Sequence, residues 1–254
     1  VSIGDLNNVE SIANEAFSNC SALEHVDKLD KITSIGQNAF KGCTALKSIG
    51  SLHNLETIGQ GAFSGCSALE HVDDLYSLTR LEYDVFSHCV SLISVDCSDK
   101  LTTIGSSAFF GCKALVSIGD LSNVTSIESS VFRGCIALKS IGNMPKLESI
   151  GMQCFMGCTA LETVGDLSSL KEIPSETFDG CTSLVSIGDL SNVTIIGSYG
   201  FNQCKKLTSI PNLGSLERVD QFAFSGCESL ALLGNLRKLT SFGNSPFVNS
   251  PFHN

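Results

Sequence analysis

The sequence predicts an α/β solenoid, one stack of coils made mostly of β-strand and loop, and three observations predict it. Phe recurs at positions 17, 40, 63, 86, 109, 132, 155, 178, 201, 224 and 247, every 23 residues without a slip. Cys follows three residues later from Cys20 to Cys227, and Leu three after that from Leu23 to Leu230. No insertion or deletion interrupts the series. Apolar residues fall every three positions, which fits neither the period of about 3.6 of an amphipathic helix nor the period of about 2 of a long strand. A constant long period instead makes each unit one full turn that returns to the same place in the next.

The unit reads L-x-x-I-G-x-L-x-x-L-x-x-I-G-x-x-A-F-x-G-C-x-x, with ten full copies and a degenerate eleventh at 231–254, so residues 1–254 are expected to form one domain. The L-x-x-I segment predicts one short strand per coil, paired in parallel with its copies above and below. A turn follows at Gly or Asp, as in "GDL" at 119–121, 165–167 and 188–190. A second extended piece follows on another side, as in "ITSIG" at 32–36. The S-x-A-F-x-G-C segment is too short and too rich in small residues for a full helix and predicts a single helical or 3-10 turn. Its Gly column (42, 65, 111, 134, 157, 180, 226) predicts a tight bend with positive φ, although Asn19, His88, Gln203 and Asn249 hold the equivalent places. Phe17, Phe40 and Phe63, with Cys20, Cys43, Cys66, Cys89 and Cys112, begin a structural ladder in which each residue stacks on its own copies.

Packing, rather than chemistry, is the expected role of the thiols. Stacked Cβ vectors point the same way and stay wider apart than the roughly 3.8 Å of a disulfide. One thiol per coil in a straight row does not converge on a metal as tetrahedral zinc requires, whereas a buried Cys behaves as a small hydrophobe. Cys97 and Cys154 lie outside the row. Of the five histidines (His25, His53, His71, His88 and His253), His25 and His71 share a column with Ser48 between them, about 10 Å apart at strand spacing and too far to share a metal. Asp5, Asp74, Asp120, Asp166 and Asp189 share another register with Asn143, Asn212 and Asn235. Turn chemistry is the expected reading of that column, since Asx side chains bond their own backbone. A calcium ion bridging coils is the remote alternative.

Composition narrows the partners. With 43% apolar and 17% charged residues the chain has the makings of a folded core. A net charge of −10 disfavours nucleic acid and anionic membrane. No apolar run approaches the roughly 20 residues of a membrane span, so no membrane insertion is expected. There is no Ser/His/acid set, phosphate-cradling loop or zinc motif. We therefore expect no enzyme, no cofactor and no metal.

The unit resembles the leucine-rich repeat of the BspA-like class, whose signature is Ile-Gly-x-x-Ala-Phe-x-x-Cys-x-x-Leu-x-x-Ile at this period. The resemblance covers the whole chain. Two departures stand out: "GDL" or "GSL" replaces the family's apolar-Pro pair after the strand, and Val85, Val131, Cys154, Thr177, Gly200 and Pro246 replace the Ala before Phe. The resemblance implies a leucine-rich-repeat superhelix and an extracellular or cell-surface protein of bacteria or protists, acting in adhesion and protein recognition. The expected function is non-catalytic recognition of a protein or glycan on a host or neighbouring cell through the strand-lined face. The candidate residues are the variable column Glu24, Lys47, Glu70, Ile93, Val116, Lys139 and Glu162, continued by Val185 and Thr208, with His25 and His71 beside it. The alternative is a structural spacer or stalk in a larger surface protein. The chain is expected to act as a monomer or as part of a longer repeat protein that continues before Val1, while "FGNSPFVNSPFHN" at the other end reads as a fading repeat.

Overall fold

The computed structural model describes residues 1–4 and 6–252; Asp5 of the acidic column and His253 lie outside them. Each coil carries two strands rather than one. The first begins the coil (Ser2–Ile3, His25–Val26, Ser48–Ile49 and so on to Leu232–Leu233), and the second follows nine residues later (Ser11–Ile12, Ser34–Ile35, Thr57–Ile58 to Ser241–Phe242). The second extended piece is thus a true strand, because its backbone pairs with its own copies as the first does. Every pairing is parallel with partners 23 residues apart, as in His25↔Ser48 with Val26↔Ile49, and Ser34↔Thr57 with Ile35↔Ile58, except where a register shift after Val72 pairs Leu75 with Cys97. First strands pair only with first strands and second with second, in sheets of two to four strands. Most strands are two residues long, so one side chain points out and the next points in.

The expected helical or 3-10 turn is not there. Between Ala13 and Cys20 the chain folds as overlapping β-turns in which only alternate amides bond within the coil: Ala16 to Ala13, Ser18 to Glu15, and Cys20 to Phe17. The amides between them leave the coil, Glu15 donating to Gln37, Phe17 to Ala39 and Asn19 to Lys41. Three such bonds recur at every interface up to Phe222, Phe224 and Gly226, which donate to Asn244, Pro246 and Val248. A 3-10 helix would keep every amide inside the coil; here every second one is diverted to the next coil. Turning it outward requires a left-handed residue in each of two turns, the third residue of a type II turn. Glu15 (φ 58°) and Asn19 (φ 59°) supply them in the first coil. The Gly column is therefore left-handed as expected, and His88 (φ 59°), Gln203 (φ 58°) and Asn249 (φ 56°) adopt the same conformation without glycine. A second left-handed column, from Glu15 through Asn38, Gly61 and Asp84 to Ser245, contains one glycine and left no mark in the sequence.

The core is the stack of inward columns. Phe40 through Phe224 are fully buried, and the row from Phe17 to Phe247 stacks with centroids 5.1–5.6 Å apart and planes within 17° of parallel. These are offset stacks, the geometry that the ring quadrupole favours. Phe17 and Phe247 end the row half-buried.

The thiols pack against the same row. From Cys43 to Cys227 each is buried, and its Sγ donates to the carbonyl of the Phe in the preceding coil at 3.0–3.2 Å. That carbonyl already accepts the amide of its own coil's Cys, so the thiol fills its second lone pair. Burial pushes the Cys43 thiol up to about 11 and those of Cys112, Cys158 and Cys227 up to about 12, far from the thiolate needed for reactivity. All twelve cysteines are free. Cys20 departs from the expected ladder: it lies in the first coil described and is exposed. The two cysteines outside the row are buried as well, Cys154 fully, in the small position before Phe155.

Candidate recognition face

The first strands carry the column that the sequence singles out. Glu24, Lys47, Glu70, Ile93, Val116, Lys139 and Glu162 each occupy the residue immediately before the outward strand position. Their backbones are joined in a ladder: Lys47 N donates to Glu24 O at 2.9 Å, Ile93 N to Glu70 O at 2.8 Å, Val116 N to Ile93 O at 2.9 Å and Glu162 N to Lys139 O at 2.8 Å. The side chains therefore form a row with one residue per coil, on a scaffold held by the buried core. Val185 N continues it with a bond to Glu162 O at 2.9 Å.

Its chemistry changes along the stack. At one end Lys47 Nζ lies 2.9 Å from Glu24 Oε2, and that hydrogen bond, helped by the amino group of Val1, holds the Glu24 carboxyl down at about 2. Both side chains face water, where such a pair adds little to stability. In the middle, Ile93 and Val116 are neighbours in consecutive coils and remain 38% and 41% exposed. Glu70 precedes them and Lys139 follows, so an apolar centre is bounded by charges of opposite sign. Val185 is a further exposed aliphatic two coils beyond Lys139.

The two histidines do not converge. His25 Nδ1 lies 2.8 Å from Ser48 Oγ and His71 Nδ1 lies 2.9 Å from Ser94 Oγ, so each imidazole is engaged with the outward serine of the next coil. Among the described residues no group of three His, Cys, Asp or Glu side chains gathers as a metal site would need. The acidic column serves its own turns: Asp120, Asp166 and Asp189 each accept the amide two residues on, from Ser122, Ser168 and Ser191 at 2.8–2.9 Å. That is the Asx-turn geometry.

Reading one column at a time missed a groove on the turn side. It is lined by Tyr83, Asp84, His88, Phe110 and Arg133 with a rim of serines, and its members come from four consecutive coils.

A single sequence-family model accounts for these coils. The model describes the BspA type leucine rich repeat region and matches residues 2–116, 79–165 and 148–254. The chain belongs to the BspA-type leucine-rich repeat family. Solved structures of this kind align over nearly all of its length. A leucine-rich repeat protein from Bacteroides ovatus is 27% identical with a TM-score of 0.67, over 98% of this chain and 76% of that one. A leucine rich cell surface protein from Faecalibacterium prausnitzii is 25% identical with a TM-score of 0.59, over 93% of this chain and 83% of that one. A leucine-rich repeat protein from Eubacterium ventriosum, at 21% identity and a TM-score of 0.59, shares the fold. Comparison with curated protein sequences gives no match. This BspA-type solenoid has no helix long and apolar enough to cross a membrane among its described residues.

Proposed function

We propose that this BspA-type solenoid is a non-catalytic recognition or adhesion module that works at the cell surface or outside the cell, and that it holds a protein or glycan of a host or neighbouring cell on its first-strand face. The observation that carries this reading is the exposed pair Ile93 and Val116, held side by side by the backbone rungs from Glu70 through Ile93 to Val116, with Lys139 in the next coil. An apolar centre inside a charged rim is the anatomy of a protein-binding patch. The cell-surface description of the Faecalibacterium protein supports the location. A spacer would have no use for exposed aliphatics in register, although the uniform stack would serve one.

The test compares the wild type with the double variant Ile93→Ser/Val116→Ser in quantitative binding to immobilised surface proteins and glycans of candidate host cells. Both side chains are exposed, so the variant should keep its thermal midpoint within about 1–2 °C. Its affinity for a specifically retained partner should fall at least tenfold. Unchanged affinity would remove this face as the binding site, and the lack of any specific partner across the set would favour the spacer.

A further inference from the structure

The turn-side groove has an independent chemistry. It is an open groove of about 320 Å3, at the small end of the roughly 300–1,000 Å3 usual for ligand sites. One wall is a tiered stack across three coils. The His88 ring meets Phe110 edge-on at 5.0 Å, and the Arg133 guanidinium lies 5.7 Å over the same Phe110 ring. Arg133 Nη1 donates to Gln153 Oε1 at 2.8 Å, and Gln153 Nε2 donates in turn to Glu176 Oε2 at 2.8 Å. The guanidinium is thereby held in one orientation, with donors to spare. Tyr83 lines the groove as well and is 44% exposed. Asp84 beside it is one of the left-handed residues (φ 57°), and so is His88 (φ 59°). The groove thus gathers an exposed tyrosine, a fixed cation, a carboxylate and several hydroxyls around one small space.

That combination selects among ligand classes. A flat apolar molecule would cover Tyr83 but would strip water from Asp84 and the serine hydroxyls without replacing it, at a cost for each unpaired group. An inorganic anion would gain Arg133 but meet Asp84 in the same space. A pyranose satisfies every wall, because it has a C–H face to lie on an aromatic ring and hydroxyls around its rim that both donate and accept. We propose that this groove is a saccharide subsite, in which a neutral hexose or N-acetylhexosamine unit stacks on Tyr83 while Asp84 and Arg133 bond its hydroxyls. The site lies apart from the first-strand face and does not depend on the reading of that face.

Saturation-transfer NMR on the intact chain with cellobiose, maltose, lactose and N,N′-diacetylchitobiose, and with inorganic phosphate as the anionic comparison, tests the proposal. At least one saccharide should receive saturation and bind in the millimolar range. Tyr83→Ala should weaken that binding at least tenfold, Tyr83→Phe should retain it, and Ile93→Ser/Val116→Ser should leave it unchanged. If Tyr83→Ala proves unfolded by circular dichroism, Asp84→Asn takes its place and should give a like loss. The proposal is overturned if none of the four sugars binds, if phosphate binds and no sugar does, or if binding survives both the Tyr83 and the Asp84 changes.

Discussion

Phe132→Ala is expected to cost about 3–5 kcal/mol, the usual penalty for deleting a buried aromatic ring. Phe132 is fully buried and lies between Phe109 at 5.5 Å and Phe155 at 5.2 Å, with its plane within 8° of both. The gap cannot close by sliding the neighbours together. Phe109 N bonds Val131 O at 3.0 Å and Phe132 N bonds Cys154 O at 2.8 Å, so backbone ladders set the spacing of the coils. For a chain of this size the loss corresponds to a fall in thermal midpoint of roughly 2–4 °C per kcal/mol, or about 10 °C. Phe247 stacks on one row member only, Phe224, and is half-buried. Because stability in a solenoid is a sum of nearest-neighbour terms, Phe247→Ala should cost less than half as much. Thermal and denaturant unfolding of the two variants measures the difference. Equal losses, or a loss below about 1 kcal/mol at Phe132, would mean that the row does not hold the stack.

Gly59→Ala is the second large effect. A Cβ placed on Gly59 would sit 2.4 Å from Gln37 N and 2.5 Å from Gly36 C, both backbone atoms of the preceding coil. No side chain can swing away to relieve that contact, and Gly59 N is itself bonded to Ile35 O at 2.7 Å. The coils would have to part there, a strain of about 1–3 kcal/mol or more. The column explains how the chain manages this crowding: it reads Ala13, Gly36, Gly59, Glu82, Gly105, Glu128, Gly151, Pro174, Gly197, Asp220 and Gly243, never two side chains in succession. Alanine at 59 would set one directly before Glu82. Gly142→Ala is the matched control, since its Cβ would meet nothing within 4 Å and its φ is not in the left-handed region. It should be neutral within about 0.5 kcal/mol. Similar midpoints for the two variants in urea would contradict the crowding argument.

These two residues also mark what could be read from the sequence and what could not. The Phe and Cys columns were legible because stacking demands the same residue at the same place in every coil, and 23-residue spacing makes that demand visible. The turns were not. Their left-handed residues include Glu15, Asp84, Tyr199 and Phe222, which carry no common side-chain signal. What fixes their conformation is the diversion of every second amide to the next coil, a long-range bond that a local reading takes for a 3-10 turn. The second strand was legible as an extended piece, but with only two residues its pairing depends on the coil above. The row from Glu24 to Glu162 was legible as a row because its register is fixed by the same stack. The groove at Tyr83, Phe110 and Arg133 was not, because its members occupy different registers and meet only when three coils are laid on one another.

The most direct measurement of the central claim, that ring and thiol are there for stacking, is a thiol count. Native protein should react rapidly with a maleimide at one cysteine, Cys20, identified by mass spectrometry, while the other eleven stay protected until the chain is unfolded in guanidinium, when all twelve react. Rapid native labelling at several ladder positions, or fewer than twelve reactive thiols after unfolding without reductant, would contradict it.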